Sequence, residues 1–163
     1  MSSSTIELFK EAMKFSAGHF TIFSATERER LHGHNFTVYC ALTGEVGDDG
    51  LLGDYGDYKR TLIALCRAWD EVFLLPERSP HLRLERRGER IDALFDGEVI
   101  PFLAKDVLVL PIPNVTIEEL AGLLLASLLE ERARLDADGI EEVVIKVSSG
   151  SGQTASRSWR RGA

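Results

Sequence analysis

From Phe36 to Leu42, apolar Phe36, Val38, Cys40 and Leu42 alternate with Thr37, Tyr39 and Ala41. A two-residue period puts successive side chains on opposite faces of an extended chain, so this run predicts a half-buried strand. His32-Gly33-His34 stands just before it in "RERLHGHNF". If the strand extends back through residue 32, both imidazoles project from one face and can converge on one ion, with Gly33 allowing close backbone approach between them. His19, in "FSAGHF", can join them from a neighbouring strand if residues 20 to 31 form the connecting loop. Three neutral imidazoles with an open fourth position form the arrangement used by catalytic zinc. The competing reading is an ordinary turn leading into an ordinary strand, since a His-x-His pair arises easily by chance. Three of the four histidines falling within sixteen residues favours the ion, while His81 in "RSPHL" reads as a surface-loop residue.

Elsewhere the pattern is mixed. Residues 6–15, "IELFKEAMKF", lack a clean helical stripe and read as one edge-like strand, and Gly44 to Gly53 turns the chain. Asp54 to Trp69 predicts a helix, with Tyr58, Leu62, Leu65 and Trp69 at three- and four-residue steps and Asp54 or Asp57 as its cap. Pro76 and Pro80 bound a loop, "LRLERRGERIDALF" reads as a hairpin turning at Arg87-Gly88, and Val107 to Leu110 reads as a short strand. Thr116-Ile117-Glu118-Glu119 has the capping-box pattern and opens a helix through "LAGLLLASLLEERARL". Val143 to Val147 is a β-branched strand ahead of "SSGSGQTAS". These elements predict an α+β fold in one domain, residues 1–163, with an antiparallel sheet covered on one face by two helices.

Charge narrows the function classes. With 26 acidic and 19 basic residues the net charge is −7, which argues against a nucleic-acid surface. Arg83, Arg86, Arg87 and Arg90, and again Arg157, Arg160 and Arg161, read as solvated surface. No apolar run approaches the roughly 18 residues of a membrane helix, and Met1-Ser2-Ser3-Ser4 carries no basic or apolar address, so a soluble cytoplasmic protein is expected. Cys40 and Cys66 fall in apolar patterns and read as buried reduced thiols.

Four segments in order carry a resemblance. "FSAGHF" with "LHGHNF", then "GLLGDYGDYKRTL", "WDEVFLLP" and "NVTIEELA" resemble the zinc signature, the opening of the first helix, the Asp-His stretch after it and the opening of the second helix in the 6-pyruvoyl-tetrahydropterin synthase and 6-carboxy-tetrahydropterin synthase family. The resemblance spans nearly the whole chain. It implies the tunnelling fold, whose sheet assembles with copies of itself into a barrel, commonly a homohexamer with sites between subunits. It also implies Zn²⁺ on His19, His32 and His34, and a reduced pterin such as 7,8-dihydroneopterin triphosphate as substrate.

The resemblance breaks at three places. The family's general base, a cysteine four residues before His-Gly-His, is Arg28 here, and a guanidinium does not abstract protons at neutral pH. The family's aspartate matches Asp70, but its partner histidine matches Glu71, and its pterin-gripping glutamate on the last strand matches Ser149. Glu27, Glu29 and Glu71 are candidate replacement bases if partial burial raises a carboxyl toward neutrality; the competing reading for Glu27 and Glu29 is a solvated loop, and for Asp70 and Glu71 a helix-end surface pair. Arg28 is a candidate for a substrate anion or for a bridge to Asp70 or Glu71. Thr116 and Glu118 match the pterin-side segment, with capping as their structural role, and the "SGSGQ" turn reads as a flexible connection. The expectation is a zinc-dependent lyase-type enzyme with an altered base or reaction. The alternatives are a non-catalytic zinc-containing oligomer that binds a pterin-like ligand or a protein partner and, more weakly, a metal-dependent oxygenase, although oxygenase chemistry commonly uses two histidines and a carboxylate with iron.

Overall fold

A computed structural model describes residues 3–162; Met1 and Ser2, half of the amino-terminal segment read above, lie outside the described residues with Ala163. The alternating run is the middle of the main sheet. After β1 (Ser3–Leu8) and β2 (Lys14–His19), β3 (His32–Glu45) takes in the whole of His-Gly-His, and Phe36, Val38, Cys40 and Leu42 are buried as their period requires. The mixed stretch at residues 6–15 is thus two strands and not one. They are joined by a turn closed by Met13 N–H donating to the Lys10 carbonyl at 2.8 Å, and the turn is what broke the periodicity.

The chain continues through α1 (Tyr55–Trp69), β4 (Val72–Pro76), a hairpin and third strand β5 (Arg83–Arg87), β6 (Arg90–Phe95) and β7 (Glu98–Leu103), then β8 (Val107–Leu110), α2 (Ile117–Leu129), α3 (Arg132–Ala137), β9 (Ile140–Gly150) and β10 (Gln153–Arg160). The main sheet runs β10-β9-β3-β2-β4-β8, with β1 also paired to β3. This is the expected α+β tunnelling fold, but its sheet is mixed: β4 lies parallel to β2 and β8 parallel to β4. Helix α1 and the β5-β6-β7 sheet supply the long crossovers that parallel pairing needs.

Helix caps follow the sequence. The Asp54 side chain accepts the Gly56 N–H at 2.8 Å, and Thr116 Oγ1 accepts the Glu119 N–H at 3.4 Å. Tyr58, Leu62, Cys66 and Trp69 of α1 and Leu120, Leu124 and Leu128 of α2 bury against the main sheet. The second helix stops sooner than its sequence predicts. Of residues 130–137 only Leu135 is buried, so no apolar face holds the helix on, and Glu131 leaves helical geometry at ψ 36° before α3 resumes. A second core, with Phe20, Ile22, Leu75, Leu82, Ile91 and Phe95, lies beneath the small sheet. No helix of the described residues is long and apolar enough to cross a membrane.

Helix α1 hands the chain to β4 through Glu71, whose φ of 58° is the left-handed region normally reserved for glycine after a helix. That conformation costs a residue with a Cβ about 1–2 kcal/mol, part of which glycine would return through a freer unfolded chain. Glu71→Gly is therefore expected to raise stability by about 0.5–1 kcal/mol, seen as a higher urea midpoint at unchanged slope.

Candidate metal centre and active site

Strand pairing brings the three histidines together. In the β2–β3 register His19 faces His32, Gly18 faces Gly33 and Ala17 faces His34. One ligand nitrogen from each ring lies within 4.8 Å of the others, and His32 Nε2 and His34 Nε2 are 3.0 Å apart. The close approach of β3 to β2 depends on Gly33, whose Cβ would meet the Ala17 carbonyl oxygen at 3.0 Å, while a Cβ on Gly18 would meet Phe73 Cδ2 of β4 at 2.4 Å.

Backbone carbonyls set which nitrogen is free. His19 Nδ1 donates to the Val115 carbonyl at 2.9 Å and His32 Nδ1 to the Arg30 carbonyl at 2.8 Å, so each Nε2 keeps its lone pair. His19 is only 6% exposed, and its Nε2 is buried with no hydrogen-bond partner. An orphaned buried acceptor costs about 1–3 kcal/mol, whereas a cation here would satisfy it together with the facing pair. Nitrogens bound tetrahedrally at about 2.0–2.1 Å lie roughly 3.3 Å from one another, so a small adjustment of these rings accommodates zinc. An all-imidazole donor set also suits it.

Burial is the main cause that lowers His19 below the ordinary histidine pKa, and the His32 and His34 rings act in the same direction, against the Val115 carbonyl and Glu29. The native ring therefore stays neutral where the unfolded ring, near 6.5, takes up a proton. Its effect on stability is absent above about pH 6.5 and grows unfavourable as pH falls from there toward the lowered native value, because the unfolded chain then binds the extra proton. The urea midpoint of the metal-free protein is expected to drop with acidification below about pH 6.5, with a shallower drop in His19→Leu.

The histidines open into a cleft of about 490 Å³ that also receives Glu29, Thr116, Glu118 and Ser149. Glu29 Oε2 lies 3.9 Å from His32 Nε2 and accepts the Thr21 N–H at 2.9 Å. Burial, the largest single influence, would raise its pKa, but the hydrogen bonds from Thr21, with the neighbouring His32 and His19 rings acting in the same direction, outweigh it and hold the carboxyl below the usual range. The expected upward shift is thus corrected for Glu29: it is an ionised acceptor at neutral pH.

The other candidates go elsewhere. Glu27 is exposed, and its backbone carbonyl, not its side chain, closes the loop by accepting from Phe23 and Ser24. Asp70 is the exposed C-cap of α1 and accepts the Ser16 N–H at 2.7 Å. Glu71 lines a different cleft that shares only His34 with the first. Arg28 is not in the histidine cleft and pairs with neither Asp70 nor Glu71; it turns toward the small sheet, with Glu98 Oε2 3.4 Å from its Nη2. A larger cleft of about 930 Å³, lined by His81 among others, lies against that sheet and holds none of the three histidines.

Several contributors escape sequence reasoning. Thr21, Gln153 and Thr154 line the cleft, and Gln153 gets there because "SGSGQ" is the tight turn of the β9–β10 hairpin. Asn114 clamps the loop by accepting from Ile22 N–H at 3.1 Å and donating to the Ile22 carbonyl at 2.8 Å. Its place in "NVTIEELA" was the available signal. The supporting carbonyls of Val115 and Arg30 leave no trace in side-chain identity.

The family model described as 6-pyruvoyl tetrahydropterin synthase matches residues 7–157. A Methanocaldococcus jannaschii protein, provisionally named 6-carboxy-5,6,7,8-tetrahydropterin synthase, is 26% identical over 144 residues, 88% of each chain. The structure of Plasmodium falciparum 6-pyruvoyl tetrahydropterin synthase shares the fold at a TM-score of 0.93 and 29% identity, covering 99% of this chain and 100% of that one. The Plasmodium vivax 6-pyruvoyltetrahydropterin synthase does so at the same TM-score, 24% identity and the same coverage, and its structures include variants in which a glutamate described as a catalytic residue is replaced by alanine or cysteine.

Proposed function

Because the chain belongs to the 6-pyruvoyl tetrahydropterin synthase family, we propose that it is a zinc-dependent lyase-type enzyme acting on a reduced pterin such as 7,8-dihydroneopterin triphosphate, with Glu29 as its base. One observation carries this reading: three imidazole nitrogens within 4.8 Å and an ionised carboxylate 3.9 Å from one of them share a cleft. Bound there, zinc would polarise the hydroxyls of the pterin side chain and ease their deprotonation.

The chain's own residues do the rest. His19, His32 and His34 would hold the metal, with burial keeping His19 neutral and the Val115 and Arg30 carbonyls engaging Nδ1 of His19 and His32 so that each Nε2 is left for the ion. Glu29 Oε2 is engaged by the Thr21 amide, which leaves Oε1 to take the substrate's proton. Thr116, Glu118 and Ser149, in the same cleft, are assigned the pterin's polar edge, with Thr116 also capping α2. A catalytic glutamate has precedent on this fold in the P. vivax protein. Asp70 and Glu71 lie off this cleft and would act only across an assembly of copies, for which β10, paired among the described residues with β9 alone, offers an open edge.

The test is incubation of the zinc-loaded protein with 7,8-dihydroneopterin triphosphate, with product analysis and sizing of the particle. Turnover that depends on Glu29 supports the proposal, and the product separates side-chain elimination from cleavage to a 6-hydroxymethylpterin. Pterin binding without turnover would instead indicate a non-catalytic zinc oligomer. Neither binding nor turnover would overturn both the enzyme and the pterin-binding oligomer, leaving the oligomer that binds a protein partner.

A further inference from the structure

Arg28 stands where the family's cysteine is expected, yet it turns away from the histidines and is only 18% exposed along its side chain. Its guanidinium carbon lies 5.3 Å from the ring centre of Phe20 and 5.6 Å from that of Phe95, and both rings belong to the core beneath the small sheet. Nη2 reaches Glu98 of β7, and Nη1 donates to the backbone carbonyl of Glu29 at 2.8 Å. Nε is buried without a partner, so the two rings and these two contacts fix the group.

Neighbouring residues of an extended segment point to opposite sides. Residue 28 pairs with Ile22 across the loop, and the next residue pairs with Thr21 through both its amide, to the Thr21 carbonyl at 2.9 Å, and its carboxylate, from the Thr21 N–H at 2.9 Å. Arg28 is thus rooted on one side and Glu29 presented on the other. Building on the function proposed above, we propose that Arg28 is a positioning residue: by clamping the Glu29 peptide to the small sheet, it holds the Glu29 carboxylate beside the three histidines. A flat fork that stacks between two rings and donates in two directions suits this task, and lysine, a point charge on a flexible stem, meets it only in part.

The Thr21 amide reports the carboxylate's position without any turnover, because it donates to Glu29 Oε2. Hydrogen exchange and kinetics are measured on full-length wild type, Arg28→Met, Arg28→Lys and Glu98→Gln, with the exposed Arg83→Met as control. In Arg28→Met, Thr21 exchange is expected to quicken at least about tenfold while Val38 and Cys40 in β3 keep their protection. With the pterin, kcat falls about 10²-fold, as a misplaced catalytic group predicts, at nearly constant KM and zinc content. Arg28→Lys recovers part of both effects, and Glu98→Gln, which leaves the packing intact, shows smaller changes of the same sign. Unchanged Thr21 protection in both Arg28→Met and Glu98→Gln overturns the proposal. So does loss of protection throughout β3, which would make Arg28 a stability residue only. If wild type consumes no pterin, the functional reading fails, while the exchange of Thr21 still judges Arg28.

Discussion

Glu29→Gln is expected to lower kcat for 7,8-dihydroneopterin triphosphate by about 10²–10⁴-fold, the usual worth of a positioned proton acceptor, with KM nearly unchanged. Glutamine keeps the shape of the side chain and still offers an oxygen to the Thr21 amide, so the loop and the histidines stay in place. What it removes is the negative charge that can take a proton. Glu29 is held ionised chiefly by Thr21 against the effect of burial, so the charge that glutamine removes is present at neutral pH. Zinc content and thermal stability equal to wild type, measured beside the kinetics, would assign the loss to chemistry. Retention of more than about one-tenth of wild-type kcat would rule Glu29 out as the base.

His34→Ala is expected to weaken zinc binding by more than about 100-fold, since removing only an outer hydrogen-bond partner of a zinc ligand already costs about 10–100-fold. Turnover should vanish with the metal. His34 is the cleaner position to test than His19. His34 is half-buried, whereas His19→Ala would open a hole in the core and leave the Val115 carbonyl without its donor, adding a folding defect to the loss of a ligand. Competition with a chromophoric chelator gives the affinity, and undiminished zinc binding by His34→Ala would remove the three-histidine site.

The sequence made the frame of the site legible because strand geometry is periodic. Alternation at residues 36–42 placed β3 and, extended back to residue 32, put His32 and His34 on one side; His19 was legible as a third ligand on a neighbouring strand, and the register that sets it across from His32 comes from the fold. Caps marked both long helices, with Asp54 and Thr116 where their hydrogen-bonding oxygens are needed. Strands β4, β7 and β10 were not legible. β10 is an edge with most of its side chains in solvent, so no apolar period marks it. The proposed base was legible only as one of several glutamates, because Glu27 and Glu29 look alike in "ATERER". Pairing across the loop to Thr21 separates them, turning one toward the histidines and leaving the other in water. The role of Arg28 was hidden for a related reason: its partners Phe95 and Glu98 lie about seventy residues away, on a sheet whose third strand has no clear pattern.

Cys40 and Cys66, both buried, have thiols pushed up to about 12 by desolvation, and neither lines the histidine cleft. A thiolate base invites peroxide, alkylating electrophiles and mixed disulfides; a carboxylate has no sulfur to oxidise. Chemistry run by Glu29, as proposed, would continue under oxidants and electrophiles that stop a reaction relying on a thiolate.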